Sequence, residues 1–262
     1  AYVMAYVAYG PFGPRIAVAV SHDAYAWNRL GLLAFAPGLS AACDKDAAFF
    51  PEPVISPGGV VSIACYHRPM SWTAPPVHPC QAARAILSVT PRERECIRIG
   101  YIPLDAVLRD RRNLLKVMES VIVLEPDVRW GSIKIGAGTP PIRMDAGWFS
   151  LYHAVDVILD GDRFIGVMYY VGAVVHDIEH PHIVRYRSAE PLLWPETSSE
   201  RYGMVDNVVF PTAIDARDAR AETYDVYYGM GDARIGRLEL DARDAYESTP
   251  GIFSKGALAA LR

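Results

Sequence analysis

Short runs of aromatic, β-branched and small residues recur along the chain, each closed by a turn rich in glycine, proline or aspartate. That cadence restricts the folds open to it. The runs are Tyr2–Tyr9, Arg15–Ser21, Val60–His67, Trp148–His153, Phe164–Val175 and Thr223–Gly229, with turns at Gly10–Pro14, Pro57–Gly59, Asp145–Gly147 and Asp160–Asp162. β-Branched and aromatic side chains suit a pleated surface, and Gly, Pro and Asp supply the backbone angles of tight turns. With 15 Tyr, 5 Trp, 20 Gly and 20 Pro in 262 residues, the chain predicts an all-β barrel, sandwich or propeller. Two stretches read as helical against this background: Leu104 to about Val123, and a short tail from Lys255 to Arg262.

A loose internal echo favours a propeller. Asp46–Pro51 (DAAFFP) and Asp206–Pro211 (DNVVFP) share the form D-x-x-h-F-P, and strand pairs follow both. Asp23–Trp27 and the segment ending in Trp194 resemble turns at blade edges. Radial repetition of one supersecondary unit produces such echoes.

Net charge is −4 and the basic residues are dispersed apart from Arg109-Asp-Arg-Arg112, which reads as a solvated turn and not as a nucleic-acid surface. No apolar run approaches the ~20 residues that span a bilayer, and no signal-peptide pattern opens the chain, so neither nucleic acid nor membrane is expected as a partner. Cys43, Cys65, Cys80 and Cys96 have no paired spacing and read as reduced thiols of a cytoplasmic protein.

Polar residues beside stiff turns are the candidates for chemistry. Tyr66-His67-Arg68-Pro69 brings an imidazole and a guanidinium to a strand end, and a guanidinium matches phosphate or carboxylate. Lys134 precedes Gly136-Ala-Gly138 and Pro140-Pro141, and His153 ends a strand after the turn at Gly147, so a cation and an imidazole are held on rigid turns in a generic anion cradle. Asp44-Lys45-Asp46 clusters charge just before an apolar FFP. His176–His182 (HDIEHPH) contains metal-ligand types, but Pro181 and the preceding apolar strand make it a connecting turn, and no metal is expected. The chain has no GxGxxG, GxxxxGK[ST] or GxSxG motif.

In this order, the motifs GPFGPRIAVAVSHD, DKDAAFFPE, YHRP, SIKIGAGTPP, GWFSLYHAVD, YYVGAVVHDIEHP, DNVVFPTA and YYGMGDARIG resemble glycoside hydrolase family 130 over nearly the whole chain. The resemblance implies a five-bladed β-propeller, with residues 1–262 forming a single domain whose first blade is incomplete. It also implies action on β-mannosides, either by phosphorolysis with inversion to α-mannose 1-phosphate or, in a minority of members, by hydrolysis. Carried over residue by residue, Arg68, Lys134, His153 and Tyr169 would bind inorganic phosphate. Lys45, Asp46, Asp206, Asn207 and Asp232 would contact the mannoside, while Trp72, Trp130 and Tyr152 offer faces for sugar rings.

Hydrolases of the family carry carboxylates in place of the cations Arg68, Lys134 and His153, so retention of all three favours phosphorolysis. No cofactor is implied beyond phosphate as co-substrate, and self-association into a homo-oligomer is compatible with the family. The family's general acid, an Asp in a D-P-R motif, would lie upstream of Ala1, and no such triplet occurs in the chain. A catalytically silent mannoside-binding propeller is therefore an expectation carried beside the enzyme.

Overall fold

The computed structural model describes residues 1–39, 43–70, 79–161, 163–218 and 223–247. Trp72 and the tail 255–262 lie outside them. Four antiparallel sheets of three to five strands follow one another along these residues. The first is β1 (Tyr2–Gly10), β2 (Gly13–Ser21) and β3 (Asn28–Leu32), and β4 (Ala34–Phe35) follows it. The second sheet comprises β5 (Cys43–Phe49), β6 (Val54–Ile55), β7 (Val61–Met70), β8 (Ile97–Pro103) and, beyond the two-residue β9 (Lys116–Val117), β10 (Glu119–Leu124). β4 and β9 pair in parallel and tie the first two sheets together. In the third sheet β11 (Lys134–Ala137) and β12 (Ile142–Met144) flank the long hairpin β13 (Gly147–Asp160) and β14 (Arg163–His176), with β15 (Val184–Arg187) outermost. The fourth is β16 (Val209–Asp218), β17 (Thr223–Met230) and β18 (Arg234–Asp241).

Three apolar cores lie between consecutive sheets. Ile16, Val18, Cys65, Ile102 and Val117 fill the space between the first and second. Tyr66, Ile99 and Tyr101 meet Ile135, Trp148, Tyr152 and Ala154 between the second and third. Phe149, Leu151, Val171 and Ala173 meet Val209, Tyr224 and Val226 between the third and fourth. The inner strands of the middle sheets are thus buried on both faces, and strand alternation sends Trp148 and Tyr152 into one core and Phe149 and Leu151 into the next. Sheets stacked face to face in chain order make the propeller-like arrangement that the sequence predicts; among the described residues there are four such sheets, where the resemblance implies five blades.

Each strand-like run forms a strand, and the hairpin β13–β14 extends beyond the runs read from sequence. The expected helix from Leu104 to Val123 does not form. An α-helix covers only Leu104–Arg109, a 3-10 turn covers Arg111–Leu115, and β9 and β10 take up the remainder. Asp110 ends the first helix in an extended conformation, and its side chain accepts a hydrogen bond from the Arg112 N–H. Beyond it, Val121-Ile-Val123 belongs to a β-branched run whose fit to the edge of the second sheet outweighs the apparent helical spacing.

His176–His182 is a connecting turn, as read from sequence: Asp177 accepts from the Glu179 and His180 N–H groups and from Arg185. Cys43, Cys65 and Cys96 are free and buried; the Cys80 side chain lies outside the described set. Among the described residues no helix is long and apolar enough to cross a membrane.

Candidate functional site

The first strands of three sheets, β5, β11 and β16, approach one another, and two glycines permit it. Gly136 on β11 lies opposite His153 on β13. A Cβ at Gly136 would fall 2.3 Å from Asp46 Oδ2 and 2.4 Å from His153 Cε1, so only a bare backbone lets these side chains meet across the strand. A Cβ at Gly138 would come within 2.6 Å of Pro211 Cγ, the proline of the second D-x-x-h-F-P segment. The glycine-rich loop read from sequence is therefore the place where three sheets converge.

Asp46 is the hub of the site. It occupies a left-handed conformation (φ 58°) within an irregular stretch of β5–β7 pairing, and its side chain is 4% exposed. Asp46 Oδ2 lies 2.7 Å from Arg68 Nε and 3.7 Å from His153 Nε2, while Oδ1 is 3.6 Å from Lys45 Nζ. The Arg68 contact has ion-pair distance without hydrogen-bond alignment. Burial alone would raise the Asp46 carboxyl, but Arg68 foremost, with Lys45 and Lys134, outweighs it and holds the group below the ordinary carboxylate range.

Arg68 is 1% exposed and donates from Nη1 to Glu95 Oε2 at 2.6 Å. Its sequence neighbour His67 points to the other face of β7, where Nδ1 lies 2.7 Å from Asp44 Oδ2 and Nε2 2.8 Å from Ser120 Oγ. The HR pair is thus split: the guanidinium faces the site and the imidazole clamps the first strand of the sheet to its last.

Lys134 places Nζ 5.8 Å from the centre of the Tyr169 ring, within cation–π range. Burial, followed by Arg68, lowers its pKa. The His153 ring packs against Phe210 at 4.3 Å and is stacked near Tyr169 at 6.1 Å. Burial pushes His153 down to about 3, so the imidazole is neutral at physiological pH, and its Nδ1 has no hydrogen-bond partner among the described residues. Burial likewise raises the Tyr169 phenol.

Of the residues proposed from sequence, Lys45, Asp46, Arg68, Lys134, His153 and Tyr169 form one cluster. Asp206, Asn207 and Asp232 form a rim beside it instead of joining its centre. The Asn207 carbonyl accepts the Tyr169 N–H at 2.9 Å, and the Asp232 charge is felt at the Tyr169 phenol. Asn207 (φ 59°) and Asp232 (φ 50°) are also left-handed, and Asp206 and Asp232 are exposed.

Trp130 and Tyr152 offer no face to a sugar. They stack on each other in the core, where the Trp130 indole donates to the Ala189 carbonyl and Arg187 Nε donates to the Tyr152 hydroxyl. Glu95 is the site residue that sequence reasoning misses. It lies in a charged stretch, Arg92-Glu-Arg-Glu95; a backbone bridge to Lys134 brings it to the third sheet, and its bond from Arg68 shows that the side chain faces the site.

The fold and site define a propeller-like all-β chain with a buried, cation-rich cluster where its sheets converge. Residues 108–247 match the glycoside hydrolase family 130 profile, described as beta-1,4-mannooligosaccharide phosphorylase. The chain belongs to this family. It is 29% identical over 225 residues to the 1,2-beta-oligomannan phosphorylase of Thermoanaerobacter sp. (strain X514), covering 84% of this chain and 59% of that protein. It is 40% identical over 104 residues to the beta-1,4-mannooligosaccharide phosphorylase of Ruminococcus albus, covering 39% of this chain and 30% of that protein. The chain therefore spans less than two thirds of the length of these relatives. The beta-1,2-mannobiose phosphorylase of Listeria innocua, in complex with beta-1,2-mannobiose, superposes with a TM-score of 0.67 at 23% identity, over 93% of this chain and 56% of that structure; the likeness is one of fold.

Proposed function

We propose that the protein is a β-mannoside phosphorylase and that this chain supplies its phosphate cradle. The observation that carries this reading is the convergence of Lys45, Arg68 and Lys134 on one buried point beside a neutral imidazole. A phosphorylase must hold an anionic nucleophile next to an oxocarbenium-like centre, and fixed cations compensate its desolvation and orient it. A phosphate oxygen attacks the anomeric carbon from the face opposite the leaving group, the glycosidic C–O bond breaks, and α-mannose 1-phosphate forms. The leaving oxygen takes a proton from a general acid, which the family resemblance gives as the Asp of a D-P-R motif.

Hydrolysis would need a carboxylate free to activate water. Asp46 and Glu95 instead lie 2.7 and 2.6 Å from Arg68, and the cations hold the Asp46 carboxyl below the ordinary carboxylate range, which makes it a poor base toward water and favours phosphorolysis over a mannosidase. The rim of Asp206, Asn207 and Asp232 suits sugar hydroxyls, since the exposed carboxylates of Asp206 and Asp232 accept and the half-buried Asn207 amide can both accept and donate. We further infer that the whole protein closes as a five-bladed propeller. The reaction as written needs no cofactor beyond phosphate, and the buried free thiols suit a reducing cytoplasm.

Product analysis of the complete protein on β-1,2- and β-1,4-linked mannobiose tests the reading. Mannose 1-phosphate should appear only when phosphate is supplied. Free mannose released at the same rate without phosphate would establish the hydrolase instead. Mannoside binding without turnover under either condition would establish a silent binding propeller.

A further inference from the structure

An acid at the centre of an anion site needs a reason. Asp46 stands among Arg68, Lys45 and His153 at 2.7, 3.6 and 3.7 Å, with Lys134 among the charges acting on it. Its side chain is 4% exposed, and Oδ2 has no aligned hydrogen bond. The local backbone does not demand a carboxylate. At φ 58° an Asn fits as well as an Asp, and its amide would donate to an incoming anion. Asp46 can only accept, because the surrounding cations keep it ionised.

An oxyanion arriving at Lys45 and Lys134 therefore meets a carboxylate that repels bare oxygen and welcomes a hydroxyl. We propose that Asp46 restricts the site to tetrahedral oxyanions that carry a proton. Hydrogen phosphate presents a P–OH that donates to Asp46, with its remaining oxygens facing the cations. Sulfate has the same shape but no proton at neutral pH, so it sets lone pairs against the carboxylate. Buried unpaired polar groups discriminate strongly because the penalty falls on the wrong ligand alone. The inference rests on the phosphate reading and adds to it a reason why the cluster contains an acid.

Calorimetric titration of the whole protein with phosphate, arsenate, sulfate and selenate at pH 7 tests it. Phosphate and arsenate both carry a proton there, whereas sulfate and selenate do not. Phosphate and arsenate should bind at least ~100-fold more tightly than the other pair, the kind of margin that unpaired buried groups enforce. Asp46→Asn, which retains shape and left-handed backbone, should bring all four within about tenfold of one another by removing the repulsive element.

Sulfate binding as tightly as phosphate in the wild type would overturn the proposal, as would an Asn variant that keeps the full preference. The wild-type series decides by itself if the variant does not fold. Failure of all four anions to bind would instead sink the phosphate reading, and this inference with it.

Discussion

Arg68 is buried between two carboxylates, Asp46 at 2.7 Å and Glu95 at 2.6 Å, so its role differs from that of Lys134 even though both are cations of one cluster. Removing Arg68 takes the nearest cation from both acids and leaves Asp46 to Lys45 and Lys134, a loss of up to about 3–5 kcal/mol, the range for a buried pair that loses a partner. Arg68→Ala should therefore lower the denaturation midpoint markedly. Lys134→Ala should leave the midpoint nearly unchanged and weaken phosphate binding by about 10–100-fold, the worth of one charged hydrogen bond. Chemical denaturation and calorimetry on both variants separate the two roles.

His176 makes a second contrast at this scale. It is fully buried among Phe50 and Tyr66, and burial lowers its pKa from 6.5 to about 4. Because the unfolded chain binds a proton more readily, the neutral ring stabilises the fold fully above about pH 6.5, and this contribution is lost as pH falls from there through about 4. His153, lowered to about 3, acts in the same direction. His176→Phe should flatten the fall in melting temperature between pH 6.5 and 4, as thermal melts across that range would show. The sequence made Lys134, His153 and Arg68 legible as polar residues beside stiff turns and Asp46 as part of a charge cluster, although all four lie within strands. It could not show that Asp46 and Glu95 meet at Arg68, because three separate segments of the chain supply them and no local pattern encodes that contact.

At the scale of elements, the glycine-rich strand β11 decides whether the site exists. Asp46 from the second sheet and His153 from the third approach through the space left by Gly136. Gly136→Ala would place a methyl 2.3 Å from Asp46 Oδ2 and 2.4 Å from His153 Cε1, and the neighbouring strands leave it little room. The variant should lose about 1–3 kcal/mol, as overpacked cores do, and phosphate affinity should fall with it. Gly229→Ala is a control in the same fold, since its nearest neighbours are 3.8 Å or more away, and it should leave phosphate affinity unchanged.

Elements were largely legible because alternation and turn residues act locally. Leu104–Val123 misled because Leu and Val at helix-like intervals also suit an edge strand, and Asp110 ends the helix after six residues. The D-x-x-h-F-P echo pointed to real first strands of two sheets, yet Asp46 lies within β5 while Asp206 precedes β16. The repeat thus marked equivalent places without marking equivalent residues.

Across the whole molecule, each middle sheet is shared between two cores. Trp148 and Phe149 are adjacent on β13, but Trp148 enters the core with the second sheet and Phe149 the core with the fourth. Loss of either core leaves one face of that shared sheet uncovered and weakens the sheet that the other core rests on, so the stacked sheets should unfold together. Such coupling is invisible in sequence, where each run displays its own alternation but not the sheet it will meet. Phe149→Ala tests it, since the ring is completely buried and its loss should cost about 3–5 kcal/mol. Trp130 and Trp148 both report on the core that Phe149 does not enter. If the sheets form one cooperative unit, tryptophan fluorescence and far-ultraviolet circular dichroism of the variant should shift to the same lower midpoint. A fluorescence transition that stays at the wild-type midpoint while the dichroism splits in two would show that the cores open independently.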